Sequence, residues 1–246
     1  GIKSRRVLIF SKLIVTFVFR IEKKRQTMKI HDYSQEKSLL STYIAQLRDV
    51  NLQKDRMRFR RNLARVGELL GYELSKTLAY QSQKVTTPLG TKSCAVLQDE
   101  VVICSILRAG LPLHGGLLDC FDQAQNTFIS AYRRHREGSH DFDIVVEYLA
   151  SPSLEGKVLI IADPMLATGS SLVMTYNALV EKAGMPKFTH VATVIGSEEG
   201  VEYAKKHLSA NNCKIWCGSL DAEMTVKSYI VPGMGDAGDL AYGEKL

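Results

Sequence analysis

Two largely apolar runs organise the chain, 158–162 without a break and 101–106 broken only by Ser105. A run without alternation is the pattern of a parallel strand buried on both faces, because helices cover such a sheet from both sides. Residues 128–132, 144–149, 188–195 and 214–217 read as further strands. Between them the period changes from two to three or four. Leu40, Tyr43, Ile44 and Leu47 share one face of a helix that begins near Ser34–Lys37. Phe59, Leu63, Val66, Leu70, Leu74 and Leu78 mark a longer helix that Asp55 can cap. Pro112 suits the first turn of a helix running through Leu118. Residues 172–180 start another, which Ala183-Gly184 ends, and Ser197 caps one more through Leu208. Thr87-Pro88-Leu89-Gly90 is a turn. Strands alternating with helices predict an α/β fold, a doubly wound and mostly parallel sheet flanked by helices. Residues 128–149 add a β-hairpin arm.

Composition changes this picture at one end of the chain. The formal charge of +6 suggests an affinity for nucleic acid, but residues 1–27 hold eight of the 32 Lys+Arg and one of the 26 acids. The remaining 24 basic and 25 acidic residues give 28–246 a charge of −1, which gives no support for a nucleic-acid partner. Residues 1–27 form a basic, apolar leader outside the expected core, with Met28 as the expected natural start. The apolar stretch 7–19 is too short and interrupted to span a bilayer, and no small-x-small cleavage site follows it. The other reading of the leader is a segment that docks on a neighbouring subunit. Residues 28–246 are the expected functional domain. The five cysteines form no disulfide-like framework and read as reduced core thiols of a cytoplasmic protein. No His-x-x-x-His or Cys-x-x-Cys spacing points to a structural metal.

Candidate chemistry gathers where strands end. Asp163 follows the second apolar run, at the carboxyl edge where open α/β sheets bind ligands. Pro164-Met165-Leu166-Ala167-Thr168-Gly169-Ser170-Ser171 then leads into a helix with small residues and hydroxyls. Backbone N–H groups at a helix start suit a phosphate, and an acid beside them suits ribose hydroxyls. The plain alternative is a βα turn with a serine cap. The loop is neither Gly-x-x-x-x-Gly-Lys-Ser/Thr nor Gly-x-Gly-x-x-Gly. The first apolar run ends in Leu107-Arg108-Ala109-Gly110, and Arg108 can grip a phosphate by its fork. Residues 133–140 are cationic and contain Gly138, either a polar hairpin tip or a loop that closes over a polyanion. Arg56, Arg58, Arg60, Arg61 and Arg65 crowd the first turns of one helix, against its dipole. They read as a solvated face, a subunit contact or an anionic effector site. At the tail, three glycines within residues 233–238 surround Asp236 and predict an irregular loop, neither strand nor helix. That tail is either loose or built to offer its backbone groups to a flat base.

Four of these stretches, in this order, resemble those of the uracil phosphoribosyltransferases, a type I phosphoribosyltransferase family. They are Ile106-Leu107-Arg108-Ala109-Gly110-Leu111, Tyr132-Arg133, Asp163-Pro164-Met165-Leu166-Ala167-Thr168-Gly169, and Tyr229-Ile230-Val231-Pro232-Gly233 with Gly235-Asp236-Ala237-Gly238-Asp239. The resemblance spans roughly residues 28–243. It implies the type I phosphoribosyltransferase fold with an irregular C-terminal base-binding hood. It also implies pyrimidine salvage, in which uracil and 5-phosphoribosyl 1-diphosphate (PRPP) give UMP and diphosphate. Carried over, Asp163 and Asp236 are the catalytic acids. Arg108, Arg133, Asp163 to Ser171 and Asp236 bind PRPP. Ile230, Gly235, Asp236 and Ala237 bind uracil, and Asp236 serves Mg2+. Arg134 and Arg136 are alternatives for the part of Arg133. A strained or cis peptide is expected between Arg108 and Ala109. The implied partners are uracil, PRPP, a GTP effector and further copies of the chain, as dimer or tetramer, with no nucleic acid and no membrane. Leu240 and Tyr242 stand where the family usually has Arg and Phe. Two rival readings are a phosphoribosyltransferase for another base and a non-catalytic PRPP sensor that binds nucleic acid.

Overall fold

The computed structural model describes residues 28–135 and 142–245. The leader 1–27 and the hairpin-tip residues 136–141, Arg136 among them, lie outside the described residues. At the sheet centre β4 (Val101–Ile106) and β7 (Val158–Ala162) are buried at every position. They pair in parallel, from Val101 opposite Val158 to Ser105 opposite Ala162. The sheet runs β1 (Lys29–Asp32), β10 (Cys213–Asp221), β9 (Phe188–Ser197), β7, β4, β5 (Gln125–His135), β6 (Phe142–Ala150). Every pairing on this path is parallel except β5 with β6, the expected hairpin. The short β8 (Met165–Leu166) adds to β9.

Alternation within each strand sends side chains to two layers. Val101, Ile103, Ile160, Ala162 and Trp216 meet α1 (Leu39–Arg48), α2 (Arg56–Ser75) and α3 (Leu111–Cys120). Val102, Cys104, Leu159, Ile161 and Val191 meet α4 (Ser170–Ala183) and α5 (Glu198–His207). This is the doubly wound arrangement that the sequence implies. Asp55 caps α2 by accepting from the Arg58 N–H at 3.1 Å. Among the described residues, no helix is long and apolar enough to cross a membrane.

Four expectations need correction. Leu78 lies past the end of α2 and packs at the rim of the core. Cys104, Cys213 and Cys217 are core thiols, but Cys94 is half-buried and Cys120 is exposed. Cys94 lies on a hairpin of β2 (Tyr80–Thr87) and β3 (Gly90–Leu97), of which only the turn was anticipated. The tail is not wholly irregular: β11 (Glu223–Met224) pairs β12 (Ile230–Val231), and Ala237–Tyr242 forms the short helix α6. Glycines 235 and 238 hide that helix in the sequence, but Asp236 starts it. Asp236 Oδ1 accepts from the N–H groups of Gly238 at 2.9 Å and Asp239 at 3.0 Å.

Trp216 fills the core beside β1. Its indole N–H donates to His190 Nδ1 at 3.0 Å, and His31 stacks on its ring at 3.9 Å. The acceptor role requires a neutral His190. Burial, then Lys214 and His31, push the His190 pKa down to about 3 against the pull of Asp99. An unfolded histidine titrates near 6.5, so His190 contributes stability that is full above that pH and is lost as pH falls toward 3. Unfolding free energy measured by urea should therefore decline below pH 6.5, by up to about 1.4 kcal/mol per pH unit for this group. His190→Asn, which keeps an acceptor and cannot titrate, should flatten that decline; equal slopes in the two proteins would refute the assignment.

Candidate active site at the carboxyl edge of the sheet

The central strands deliver the two expected loops to one edge. Asp163 follows β7, with its N–H bonded to Ala192 O at 3.1 Å. Its carboxylate accepts from the Met165 N–H at 3.3 Å and is half-buried. β8 then holds the loop against β9, and Ser197 Oγ donates to Ala167 O, which fastens the loop to the start of α5. Thr168 and Ser170 share a hydrogen bond at 2.8 Å between their hydroxyls. The cap of α4 is Gly169, at φ 77°, which has no side chain to bond the helix start, while the Thr168 hydroxyl accepts from the Ser170 N–H at 3.4 Å. The serine-cap alternative therefore does not hold. Glycine takes this left-handed conformation without a Cβ penalty, and the start of a 14-residue helix presents backbone N–H groups of the kind that suit an anion.

The β4 loop abuts the β7 loop. A Cβ on Gly110 would meet Ala162 O at 2.7 Å and Ser105 Oγ at 2.8 Å, so only glycine allows this approach. The cis peptide lies between Leu107 and Arg108, one bond before the expected position. Arg108 reaches into the tail. Its Nη2 pairs with Asp239 Oδ1 at 2.9 Å, and its Nη1 donates to Gly243 O at 3.2 Å. The pair is 41% and 27% exposed, a setting in which an ion pair contributes about 0–1 kcal/mol. A polyphosphate can displace Asp239 at little cost.

The tail itself is held from the opposite side. Arg48, the last residue of α1, grips Asp221 with two bonds of 2.7 Å and donates to Gly233 O at 2.8 Å. Gln53 donates to Met234 O at 3.3 Å, and Arg60 donates to Ala241 O at 2.7 Å. The Arg60 guanidinium also lies 5.9 Å from the Tyr242 ring, and that of Arg65 lies 5.2 Å from the Tyr43 ring. Two members of the arginine cluster thus work inside the molecule rather than as a solvated face. The tail and the residues at the start of α2 line a cleft of about 450 Å³, with Lys54, Arg56, Gly235, Asp236, Asp239 and Leu240 among its walls. Burial of Asp236 opposes its charge, but the N–H groups of Asp239 and Gly238 and the Lys245 ammonium outweigh it and lower its pKa. Its Oδ2 faces Lys245 at 3.3 Å.

The structure therefore brings the Asp163–Ser171 loop, Arg108 and the tail to one edge. Arg133 lies on β5 opposite Ile144, and that register is all the structure gives of it. Arg48, Asp221 and Gln53 escaped the sequence reading, and Asp239 was quoted in the tail motif without a role. Nothing local marks the contacts that join them to the tail or to Arg108, which span 131 to 185 residues.

The match to known proteins agrees with this edge. The family model described as uracil phosphoribosyltransferase matches residues 34–244. A curated uracil phosphoribosyltransferase of Porphyromonas gingivalis is 51% identical over 219 residues, 89% of this chain and 100% of that protein. One from Methanococcus vannielii is 38% identical, over 79% of this chain and 82% of its own length. Among solved structures, the AQ2163 protein from Aquifex aeolicus superposes with a TM-score of 0.76 at 28% identity, over 87% of this chain and 98% of that one.

Asp163 carries a cost that can be measured. Burial raises its pKa to about 6, and the Met165 N–H offsets only part of this. An unfolded Asp titrates near 3.8, so the folded state takes up a proton between those values and loses stability as pH rises through about 6. Asp163→Asn should therefore raise the unfolding free energy at pH 8 by about 1–3 kcal/mol. That gain should shrink as pH falls from 6 to 4. A gain that is absent at pH 8, or constant with pH, would contradict the charge as its source.

Proposed function

Since the chain belongs to the uracil phosphoribosyltransferase family, we propose that this edge performs the family's transfer with a division of labour between its loops. The enzyme is a pentosyltransferase that converts uracil and PRPP to UMP and diphosphate. N1 of uracil bonds to C1 of the ribose and loses its proton, while pyrophosphate leaves with the electron pair of the C1–O bond. Positive charge grows on the sugar and negative charge on the leaving group, so positioned charges and dipoles do the work.

In this reading Asp163 accepts the ribose hydroxyls, and Pro164 to Ser171 enclose the 5-phosphate at the start of α4. Arg108 and Arg133 take the pyrophosphate. Ile230, Gly235, Asp236 and Ala237 read uracil, largely through backbone groups. A site that pairs every donor and acceptor of uracil rejects cytosine, whose exchanged groups would be left unpaired. The observation that carries the reading is Arg108, whose fork joins the β4 loop to the tail at Asp239 and Gly243.

Among the described residues, no group of three or more His, Cys, Asp or Glu side chains could hold a metal ion. The lone carboxylates of Asp163 and Asp236 instead fit a Mg2+ carried by the phosphates of PRPP, since this ion keeps few protein ligands. When bound, Mg2+ would neutralise the departing pyrophosphate. Asp236 Oδ2, opposite Lys245, is the oxygen left for it. A GTP effector belongs to the same proposal, with the exposed Arg56, Arg58 and Arg61 of the arginine cluster as its anchors. The β2–β3 hairpin exposes nearly all of its residues, Leu89 at 99%, and a lone two-stranded ribbon is marginal in water. This supports a homo-oligomer in which the hairpin packs on another copy; a monomer mass by light scattering would remove it. The five free cysteines support a reducing, cytoplasmic setting. Alkylation of the denatured native protein that finds fewer than five thiols would count against that setting.

The test is UMP formation from PRPP against a panel of bases, with and without Mg2+ and GTP. Uracil should turn over, and chelation of Mg2+ should abolish most of the rate. Asp163→Asn should cut kcat/KM for PRPP by about 100-fold or more, on the order of 3 kcal/mol, with the fold intact. No uracil turnover would end the base assignment, and near-wild-type activity of Asp163→Asn would end the role of that acid.

A further inference from the structure

Uracil is read by backbone groups of the tail, on the reading above. A backbone reads a base only if something holds it still, and the tail cannot hold itself. β12 ends at Val231, and α6 begins at Ala237. Among the described residues, the hydrogen bonds that hold the backbone of residues 232–235 come from three side chains. Asp221 Oδ2 accepts from the Gly233 N–H at 2.9 Å. Arg48 donates to Gly233 O at 2.8 Å, and Gln53 donates to Met234 O at 3.3 Å. Gly233 sits at φ 56°, with its α-carbon turned so that a Cβ would strike Ile230 O. Both polar groups of this one residue are thus engaged by one ion pair.

That pair is itself well fixed. Arg48 meets both Asp221 oxygens at 2.7 Å, and its Nη2 also donates to Ser219 Oγ at 2.9 Å. The Asp221 side chain is 7% exposed, and that of Arg48 is 23% exposed. A two-pronged guanidinium–carboxylate contact fixes direction as well as distance, which a lysine cannot reproduce. Asp221 ends β10 and Arg48 ends α1, so the clamp ties the turn to the sheet edge and to a core helix at once. Gly235 and Asp236 follow directly.

We propose that Arg48 and Asp221 are positioning residues for base recognition. They touch neither substrate, and they set where the tail's base-reading groups stand above the ribose site. The phosphate loop is fastened independently, through β8, Ser197 and α5. Loosening the clamp should therefore weaken uracil binding far more than PRPP binding, which keeps the independently fastened phosphate loop and feels the tail only through Asp236 and Arg108. A role in overall stability alone would not separate the two substrates.

The experiment is steady-state kinetics of Arg48→Lys and Asp221→Asn in the full chain, with melting temperature and circular dichroism measured alongside. Wild-type turnover of uracil is measured first: its absence would end the functional reading and leave the clamp without a base to position. Given that turnover, Arg48→Lys should raise the KM for uracil by about tenfold or more, while the KM for PRPP rises by less than about threefold. Asp221→Asn, which keeps an acceptor for the Gly233 N–H but loses the charge, should show the same split to a smaller degree. Discrimination between uracil and cytosine should narrow in both. A folded variant with unchanged KM for uracil, or with both KM values raised in proportion, overturns the proposal. If Arg48→Lys fails to fold, the same criteria applied to Asp221→Asn decide it.

Discussion

The structure depends on two neighbouring parallel strands that end at the same level. β4 and β7 are buried on both faces, and their backbone donors and acceptors are spent on each other and on β5 and β9. Inside such a pair nothing polar can be offered to a ligand without leaving a buried group unpaired. Chemistry is therefore forced past the strand ends, where Arg108 and Asp163 emerge. Register then brings the two loops together. Ser105 stands opposite Ala162, and Gly110 closes down on Ala162 O. Site geometry follows from the pairing of two apolar strands, with no polar contact needed to align them.

The second half of the site is assembled by the opposite means. The tail buries Ile230, Met234, Ala237 and Ala241 against the α1–α2–α3 layer, but its course is set by side chains that donate to its carbonyls. Arg48, Gln53, Arg60 and Arg108 take Gly233, Met234, Ala241 and Gly243 in turn. A glycine-rich segment frees carbonyls from regular structure, and arginines supply several donors each from a fixed plane. Placing cations in the first turns of α2 opposes its dipole. Arg60 offsets that through the tail, because its guanidinium bonds a carbonyl and lies over Tyr242.

This contrast explains what could be read from the chain. β4 and β7 were legible to the residue, since an apolar run bounded by Arg108 or Asp163 has one interpretation. The helix faces were legible because three-and-four spacing needs only local sequence. β1 was missed: its Lys29-Ile30-His31-Asp32 has no apolar run, and it takes its place only by pairing with β10, some 185 residues on. The β2–β3 hairpin was reduced to its turn because a ribbon exposed on both faces has no alternation to show. α6 was hidden by its glycines, although its cap, Asp236, had been singled out for other chemistry. The Arg48–Asp221 clamp joins residues 173 apart, and neither carries a local signal.

Asp163 shows how the two halves act on each other's ligand. Its carboxylate is held in a desolvated position with one N–H for compensation, so ionisation is resisted and the pKa rises to about 6. At neutral pH the free protein carries that cost. Ribose hydroxyls brought to the carboxylate would donate hydrogen bonds to its charged form and relieve the penalty, a favourable contribution to binding. Asp236 is tuned the other way. Two N–H groups and Lys245 stabilise its charge, so its Oδ1 holds the start of α6 while Oδ2 stays available for the Mg2+ role proposed above. One acid is left under-satisfied at the place proposed for the sugar, and the other is satisfied at the start of α6. The sheet edge positions the first, and side chains of the helical layer hold the tail that carries the second.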